Sequence, residues 1–320
     1  MKNNILALSG GVGGAKLCLG LDRISSHLSL TIIANTGDDF KHLGLYISPD
    51  IDTLIYTLAG INNPTTGWGR DDETWNAHSM LEKFGMENWF QLGDKDLALH
   101  LYKNEQMTMG LSLTKITQKI AQQFGLRSRI LPMTDEPVQT TIDSDMGRLS
   151  FQEYFVKNQS KPAIKNISFS GSREANASPE LQQAMKGKDF DAIVICPSNP
   201  YLSIDPILSI DEIKTFIQSS TQPVIAVSPI VKGAAIKGPT AKIMEEFKIP
   251  VSVISIAEHY HPLIDGLVID NKDGNQATQI ESMGLQVKVT NTIMKNDQDK
   301  TQLAQDVITF AESINTEGGN

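Results

Sequence analysis

The sequence predicts an α/β protein with a Rossmann-like, doubly wound and mostly parallel sheet, interrupted by a mostly helical insertion. Three observations predict this class: a strand–turn–helix–strand unit at the start of the chain, helical periodicity in the middle, and repeated apolar runs in the second half. We therefore expect residues 1–50 and 165–320 to form the core that carries the sheet, and residues 51–164 to form the insertion.

The first elements alternate between strand and helix. Residues 5–8 and 30–35 are mostly apolar and typical of buried strands, and a helix is predicted between them across 14–26. In the insertion, acidic residues or serine at the predicted starts and glycine at several predicted ends indicate four helices, over 51–60, 72–84, 94–104 and 113–125.

Strand-like pieces follow the helical region, and the α/β pattern then returns. Apolar runs predict strands at 129–131, 138–142, 151–156, 191–197, 223–229, 250–256, 266–270 and 285–289. A last helix is predicted across 301–314. Ligands of a doubly wound sheet bind beyond the carboxyl ends of its strands, so we expect one cleft to be shared by the loops after Leu8, Asn35, Cys196 and Val227.

The first strand runs into a turn in which four of five residues, 10–14, are glycine. Backbone N–H groups at a helix start attract phosphate, and glycine lets the backbone approach it closely. A side chain at Gly13 is expected to occupy the phosphate space. The turn departs from a dinucleotide fingerprint at Lys16, and from a P-loop at Ala15 and Leu17. The predicted nucleotide-binding residues are Gly10, Gly11, Gly13, Gly14 and Lys16; the alternative is a tight turn without a ligand.

After the second strand, four carboxylates lie within a stretch of fifteen residues, 38–52. They would repel a nearby diphosphate unless a cation lay between them, and Mg²⁺ binds one or two carboxylates together with phosphate oxygens. A spare carboxylate can accept a proton from an attacking hydroxyl, and we assign that role to Asp50 or Asp39. The alternatives are helix capping by Asp50 or Asp52 and an Asx turn at 38–39. The predicted metal ligands are Asp38, Asp39, Asp50 and Asp52.

Three further segments carry candidate ligand groups. Trp68, between two glycines, can stack on a flat ring, and Arg70 can meet a phosphate; a surface turn is the alternative. Ser198 and Asn199, held between two prolines, can bind a base edge or a phosphate. Lys232, in a glycine context like Lys237, suits a phosphate, although solvated lysines are the alternative. His259 and His261 have no third ligand nearby in sequence and do not indicate a metal site.

The composition is that of an ordinary globular protein, and it excludes some partners. The net charge of −9 disfavours nucleic acid and anionic membranes. Two cysteines, Cys18 and Cys196, form no disulfide framework and no zinc-type spacing. We read no signal peptide and no transmembrane stretch, so we expect a cytoplasmic protein. A homodimer is expected only because homodimers are the commonest oligomers.

Taken in order, these motifs resemble the family of 2-phospho-L-lactate transferases, which act in the biosynthesis of the deazaflavin coenzyme F-420. The resemblance covers nearly the whole chain to about residue 265, and Lys95 stands where arginine is more common. The region after about residue 270 adds little to it. The resemblance is carried by residues 10–14, 35–39, 48–53, 67–69, 72–76, 92–98, 133–136, 151–156, 197–200 and 227–230.

The resemblance implies an Mg²⁺-dependent enzyme of the phosphotransferase type. The donor would be a guanylyl diphosphate ester of a three-carbon acid, in a lactyl, enolpyruvyl or glyceryl form. The ribityl hydroxyl of the deazaflavin Fo would attack the phosphorus that bears the acid, and GMP would leave. The glycine turn, Ser198 and Asn199 would hold the donor, and Trp68 with other insertion residues would hold the deazaflavin. The alternatives are a regulatory protein that binds a nucleotide or nucleotide sugar, and a nicotinamide enzyme, which the missing third glycine disfavours.

Overall fold

The computed structural model describes residues 4–24, 27–87, 89–187 and 190–317. The strands of these segments, in chain order, are β1 Asn4–Ser9, β2 Ser29–Ala34, β3 Phe40–His42, β4 Leu45–Ile47, β5 Arg129–Pro132, β6 Gln139–Ser144, β7 Gly147–Ser150, β8 Ile164–Ser170, β9 Ala192–Ile195, β10 Val224–Val227, β11 Ile230–Val231, β12 Ala234–Ala235, β13 Gly266–Asp270 and β14 Gln286–Thr290.

Most of the helices connect these strands. Short π-helical turns occupy Glu153–Lys157 and Pro200–Ile204, and a 3₁₀ turn occupies Asn271–Gln276. The α-helices are α1 Gly11–Ile24, α2 Pro49–Leu58, α3 Asn76–Lys83, α4 Asp94–Thr108, α5 Leu113–Gln123, α6 Pro179–Gly187, α7 Asp205–Leu208, α8 Asp211–Gln218, α9 Thr240–Glu246, α10 Val253–Tyr260, α11 Ala277–Glu281 and α12 Asp297–Glu317. Within the described residues, none of the helices is both long and apolar enough to cross a membrane.

The core is a seven-stranded sheet in the order β14–β13–β10–β9–β1–β2–β5, and all its neighbouring strands are parallel. From β1 the chain first extends the sheet through β2 to β5, and then returns to the other side of β1 with β9. The order therefore reverses between β1 and β9, which is the position where doubly wound sheets bind ligands. The predicted fold class is confirmed.

Two apolar layers cover the sheet. Along β1 the side chains alternate, so that Ile5 and Ala7 pack with α1, α2, α5 and α12, whereas Leu6 and Leu8 pack with helices of the second half, including α8, α9 and α10. This alternation follows from the two-residue period of a strand. Cys18 and Cys196 are buried free thiols of the first layer.

The predicted strand at 250–256 is wrong. Ser252 caps the amino end of α10, and its hydroxyl accepts a hydrogen bond from the N–H of Ser255. The buried residues Val253, Ile256, Ala257 and Tyr260 then follow at helical spacing. The β-branched run favoured a strand, but the cap and the spacing of the buried face favour the helix.

The predicted strand at 151–156 is wrong as well, and a helical segment with a π turn replaces it. Ser150 and Glu153 form a capping box: the Glu153 carboxylate accepts from the Ser150 N–H at 2.9 Å, and the Glu153 N–H points to the Ser150 hydroxyl at 3.4 Å. This reciprocal pair is typical of a helix start. It places Phe151, Gln152 and Phe155 on the wall of the central cavity described below.

The region predicted as insertion is partly integrated into the core. β5, at residues 129–132, is an edge strand of the main sheet, and α2 packs directly on α1. The segment 139–170 forms a separate antiparallel sheet in the order β7–β6–β8. Helix α3 begins at Asn76 and not at residue 72, because the Asp94 carboxylate accepts from the N–H groups of Asn76 and Ala77.

Helix α1 lies so close to α12 that only glycine fits at one contact. A Cβ at Gly20 would overlap the Lys300 carbonyl. We expect Gly20→Ala to lower the melting temperature, since overpacking costs about 1–3 kcal/mol and alanine's helix propensity recovers at most about 1 kcal/mol. Gly274→Ala is the control, because its Cβ would meet only the Val289 side chain, at 3.3 Å. Thermal denaturation of Gly20→Ala at or above the wild-type temperature would contradict the close contact.

Candidate active site

A cavity of about 570 Å³ opens at the carboxyl ends of the strands, beside the point where the strand order reverses. The loops after β1, β2, β9 and β10 all line it, as the sequence predicts. Helices α2 and α4 form one wall. The predicted site residues on its surface are Gly10, Gly11, Gly13, Lys16, Asp38, Asp50, Asp52, Trp68, Ser198 and Asn199.

The glycine turn begins α1, and protein groups pair two of its N–H groups. The N–H of Gly10 donates to the Ser198 hydroxyl at 3.2 Å, and the N–H of Gly11 donates to Asp50 Oδ1 at 2.7 Å. The first N–H groups of a helix have no partner within the helix. Those of Val12 and Gly13, which also line the cavity, are therefore the groups that an anionic ligand could accept from.

Close packing explains the glycines of this turn. A Cβ at Gly10 would lie 2.5 Å from Asp50 Oδ2, and one at Gly14 would overlap the Ser9 hydroxyl. A Cβ at Gly13 would overlap the Pro197 carbonyl, so the expectation that it would fill the phosphate space is wrong. Only Gly11 is required by its conformation, with φ of 63°. The turn needs glycine because the loop after β9 and the Asp50 carboxylate press against it.

Asp38 and Asp50 form a carboxylate pair at the base of the cavity. Asp50 Oδ2 accepts from the Asn35 amide at 2.9 Å, and Asp38 Oδ1 is buried without a hydrogen-bond partner among the described residues. Burial raises the pKa of Asp50 to about 6, against the hydrogen bonds from Asn35 and Gly11. Burial, and then the charge of Asp50, raise the pKa of Asp38 well above its ordinary value. The raised pKa values of Asp38 and Asp50 indicate that no positive charge lies beside the two carboxylates.

The pair fits a divalent cation that also binds a ligand phosphate. Mg²⁺ uses one or two carboxylates and takes its other ligands from phosphate and water. The orphaned Asp38 Oδ1 is a suitable oxygen ligand. Within the described segments no group of three or more His, Cys, Asp or Glu side chains is placed to hold a metal, so the four predicted aspartates do not form one metal cluster.

The contacts of Asp52 and Asp39 explain why the cluster does not form. Asp52 lies between two other partners, since Lys103 Nζ is 3.1 Å from both its oxygens and His100 Nδ1 is 3.9 Å from Oδ2. Asp39 is buried near Tyr46 and does not line the cavity. Burial raises the pKa of Asp39 well above its ordinary value, against the charge of Lys103.

The Asp50 carboxylate caps the start of α1, whereas the sequence suggested that it caps its own helix, α2. Its own helix α2 begins after Ser48, with Pro49 in the first turn. The Asp50 carboxylate instead accepts from Gly11 at the start of α1, where a negative charge is favourable. The carboxylate can therefore cap α1 through Oδ1 while it lies beside Asp38.

Aromatic side chains form another part of the cavity lining. Trp68 is 55% exposed on the insertion loop, and Phe151 stacks on Phe155 with ring centroids 5.3 Å apart. Trp89 and Phe90 form an edge-to-face pair and complete this surface. A cavity lined by carboxylates, helix-start N–H groups and aromatic rings can bind a phosphorylated ligand beside a flat ring.

Several predicted residues lie away from this surface. The Arg70 guanidinium packs over the rings of Tyr56 and Phe124, at 5.6 and 5.9 Å, and Arg70 does not line the cavity, so its contact with a phosphate stays a prediction. Lys232 is exposed and does not line the cavity. Its backbone N–H donates to the Asp273 carboxylate. Gly14 lies behind the lining against Ser9.

Two lysines, Lys16 and Lys237, do line the cavity. Lys237 lines the cavity, and its Nζ donates to the Thr66 carbonyl at 2.9 Å. Lys16 Nζ donates to the Met294 carbonyl at 3.1 Å. Burial, followed by the charges of Lys237 and Lys300, lowers the pKa of Lys16.

The sequence reasoning missed part of the lining. Thr292, Ile293 and Met294, in the loop between β14 and α12, line the cavity, although no site residue was predicted after residue 270. Gln152 reaches the Asp38 carbonyl at 3.4 Å. The spacing of Asp96, His100 and Lys103 on one helix face was the available signal for the polar wall, because residues four and seven apart share a face.

The fold and the cavity define a Rossmann-like, doubly wound α/β protein whose site lies at the switch point of a parallel sheet. The family described as 2-phospho-L-lactate transferase CofD matches residues 5–310. The chain belongs to this family.

Similar proteins carry two transferase names. A 2-phospho-L-lactate transferase of Methanocaldococcus jannaschii is 37% identical, over 97% of this chain and 99% of its own. One of Methanopyrus kandleri is 35% identical, over 98% and 99%. A phosphoenolpyruvate transferase of Streptomyces coelicolor is 33% identical, over 97% and 98%. A solved UPF0052 family protein of Bacillus halodurans has a TM-score of 0.63 over 96% of this chain and 99% of its own; at 14% identity it shows a shared fold.

Asp38 and Asp50 are expected to differ in their effect on stability. Asp38→Asn removes a charge from a buried oxygen without a partner, so the melting temperature should stay equal or rise. Asp50→Asn should lower stability by about 1–3 kcal/mol, since one amide hydrogen must face the Gly11 N–H or the Asn35 amide. Denaturant unfolding of both variants checks this difference, and equal losses would contradict it.

The carboxylate pair also predicts a pH dependence of stability. A carboxyl with a raised pKa in the folded state stabilises the protein while it is protonated, and this stability is lost as pH rises. For Asp50 the loss should run from its ordinary value of 3.8 to about 6. Melting curves of the wild type and Asp38→Asn across pH measure the effect, and a wild-type curve no steeper than the variant's would contradict it.

Proposed function

We propose that the protein transfers a phospho-three-carbon-acid group from a guanylyl diphosphate donor to the ribityl hydroxyl of the deazaflavin Fo, with release of GMP. This reaction would belong to coenzyme F-420 biosynthesis. The single observation that carries the proposal is the lining of the cavity, which combines helix-start N–H groups and carboxylates with aromatic side chains. The family match supports the transferase class.

The donor is proposed to lie at the glycine turn. Its diphosphate would accept from the N–H groups of Val12 and Gly13, and Ser198 and Asn199 border the same space. Asn199 is itself held, because its side-chain oxygen accepts from the N–H groups of Tyr201 and Leu202. This rigid border would hold the reacting phosphorus in a defined position, which is the main contribution of proteins to phosphoryl transfer.

Asp38 and Asp50 would hold Mg²⁺ between themselves and the diphosphate. When bound, the ion would neutralise the negative charge that develops on the transferred group and on the leaving GMP. The contribution of the chain is the placement of these two carboxylates, through the Gly11 N–H and the Asn35 amide. Asp38→Asn should therefore abolish most turnover without a loss of stability, which a combined rate and melting measurement tests.

The acceptor is proposed to lie at the aromatic part of the lining. The flat deazaflavin ring would stack between Trp68 and the surface formed by Trp89, Phe90 and Phe155, with its hydroxylated chain directed to the carboxylates.

The acid that the donor carries stays open, because two relatives of similar identity are named for different acids. A difference of one small group is worth only about 1–3 kcal/mol in a pocket. The cytoplasmic location and the homodimer also stay predictions.

The deciding experiment is a turnover assay with Fo, Mg²⁺ and each of the lactyl, enolpyruvyl and glyceryl guanylyl donors, read by product mass. We expect a mass gain on Fo, together with GMP, for at least one donor, and no product when Mg²⁺ is chelated. GDP binding without product from any donor would contradict the proposal and favour a regulatory nucleotide-binding protein.

Trp68→Ala should weaken the acceptor alone. Stacking on an aromatic side chain is worth about 1–3 kcal/mol, so the KM for Fo should rise by about tenfold or more while GDP affinity stays unchanged. Trp75→Ala is the matched control, since Trp75 is 44% exposed on the same insertion and does not line the cavity. Equal effects of the two substitutions would contradict the acceptor site.

A further inference from the structure

Two lysines of the cavity lining have no carboxylate partner. Lys16 Nζ donates to the Met294 carbonyl at 3.1 Å, and Lys237 Nζ donates to the Thr66 carbonyl at 2.9 Å. Among the described residues, neither ammonium forms an ion pair. An ammonium has three hydrogens, so both lysines keep donors for a ligand. The lining therefore contains two positive charges that no carboxylate of these segments balances.

The two ammonium groups lie near each other. Burial, and then the charge of Lys237, lower the pKa of Lys16. Lys300 also acts on Lys16, but Lys300 is paired with Asp297 at 2.7 Å. Neighbouring like charges repel each other, and an anion that contacts both removes this repulsion. The pair therefore suits a negatively charged group of a ligand.

Lys237 lies where the glycine turn meets the loop that carries Trp68. A Cβ at Gly67 would lie 2.8 Å from Val12 Cγ1 and 3.2 Å from Lys237 Nζ, so the ammonium is beside the start of α1. Its partner, the Thr66 carbonyl, is two residues before Trp68. In the proposed function the donor lies at the glycine turn and the acceptor ring at Trp68. The group that passes between them would then lie beside Lys237.

The chemistry of the proposed donor leaves one anionic group for the lysines. Its diphosphate would accept from the N–H groups of Val12 and Gly13, on the side of the carboxylate pair. Its lactyl, enolpyruvyl and glyceryl forms all carry a carboxylate as well. A carboxylate has two acceptor oxygens, which two ammonium groups can contact at once in strong, charge-assisted hydrogen bonds.

We propose that Lys16 and Lys237 bind the carboxylate of the three-carbon acid and so select donors that carry one, an inference that rests on the proposed function. The lysines are specificity-determining residues, which hold the free end of the transferred group while its phosphorus is attacked. The carboxylate is common to the three acids. This contact therefore selects the class of donor and leaves the choice among the acids to other groups.

The test uses two guanylyl diphosphate esters that differ in one group. The first is the lactyl ester, and the second is the isopropyl ester, in which a methyl group replaces the carboxylate. Calorimetry measures the binding of each ester with Mg²⁺ and without Fo, so that no turnover occurs. We expect the wild type to bind the lactyl ester about 10²-fold more tightly, since each hydrogen bond between charged groups contributes about tenfold or more.

Substitution of either lysine should reduce this preference and nothing else. Lys16→Met and Lys237→Met should each lose about tenfold of the preference, while their affinity for the isopropyl ester stays within about threefold of the wild-type value. Lys232→Met is the matched control, because Lys232 is exposed five residues before Lys237 and does not line the cavity. It should keep the full preference. Melting temperatures monitor the fold of each variant.

The same titrations contain the results that would overturn the inference. Equal losses of affinity for the two esters in the lysine variants indicate contacts with phosphate and overturn it. A wild type that binds the two esters with equal affinity overturns it as well. A wild type that binds neither ester overturns the proposed donor itself, so the two failures are distinguishable.

Discussion

The arrangement of the cavity depends on the Asp50 carboxylate. One oxygen accepts from the Gly11 N–H and the other from the Asn35 amide, so a single side chain joins α2, the start of α1 and the loop after β2. These hydrogen bonds require the backbone of the turn to pass close to Asp50, which explains why Gly10 cannot carry a Cβ. The same close packing brings the loop after β9 against Gly13 and sets the edge of the cavity.

The cavity wall is divided electrostatically. Asp52 and Asp96 are balanced by Lys103 and by hydrogen bonds from Tyr56 and His100, whereas Asp38 and Asp50 have no cationic partner among the described residues. A diphosphate next to the unbalanced pair would meet strong repulsion unless a cation separated them. This difference marks the unbalanced pair as the part of the wall that suits a metal.

The likeness to solved structures and the likeness to sequence relatives both extend over nearly the whole chain, but they show different things. The UPF0052 family protein shares the fold at 14% identity, so the parallel sheet and its two apolar layers tolerate wide changes in sequence. Relatives at 33–37% identity include proteins named for two different transferred acids. Such a difference can arise from a few contacts at the rim, because one small group changes binding by only about 1–3 kcal/mol.

The doubly wound class, most strands of the sheet and the four loops that meet at the cavity could be predicted from the sequence, because apolar runs and turn residues are local signals. Which polar residues face one another is visible only in the folded protein. Asp50 caps α1, Asp94 caps α3, Asp52 is paired by Lys103 from another helix, and the loop at 292–294 closes the cavity. These contacts join residues distant in the chain, and the free energy that selects them comes from burial and charge pairing, which no local pattern records.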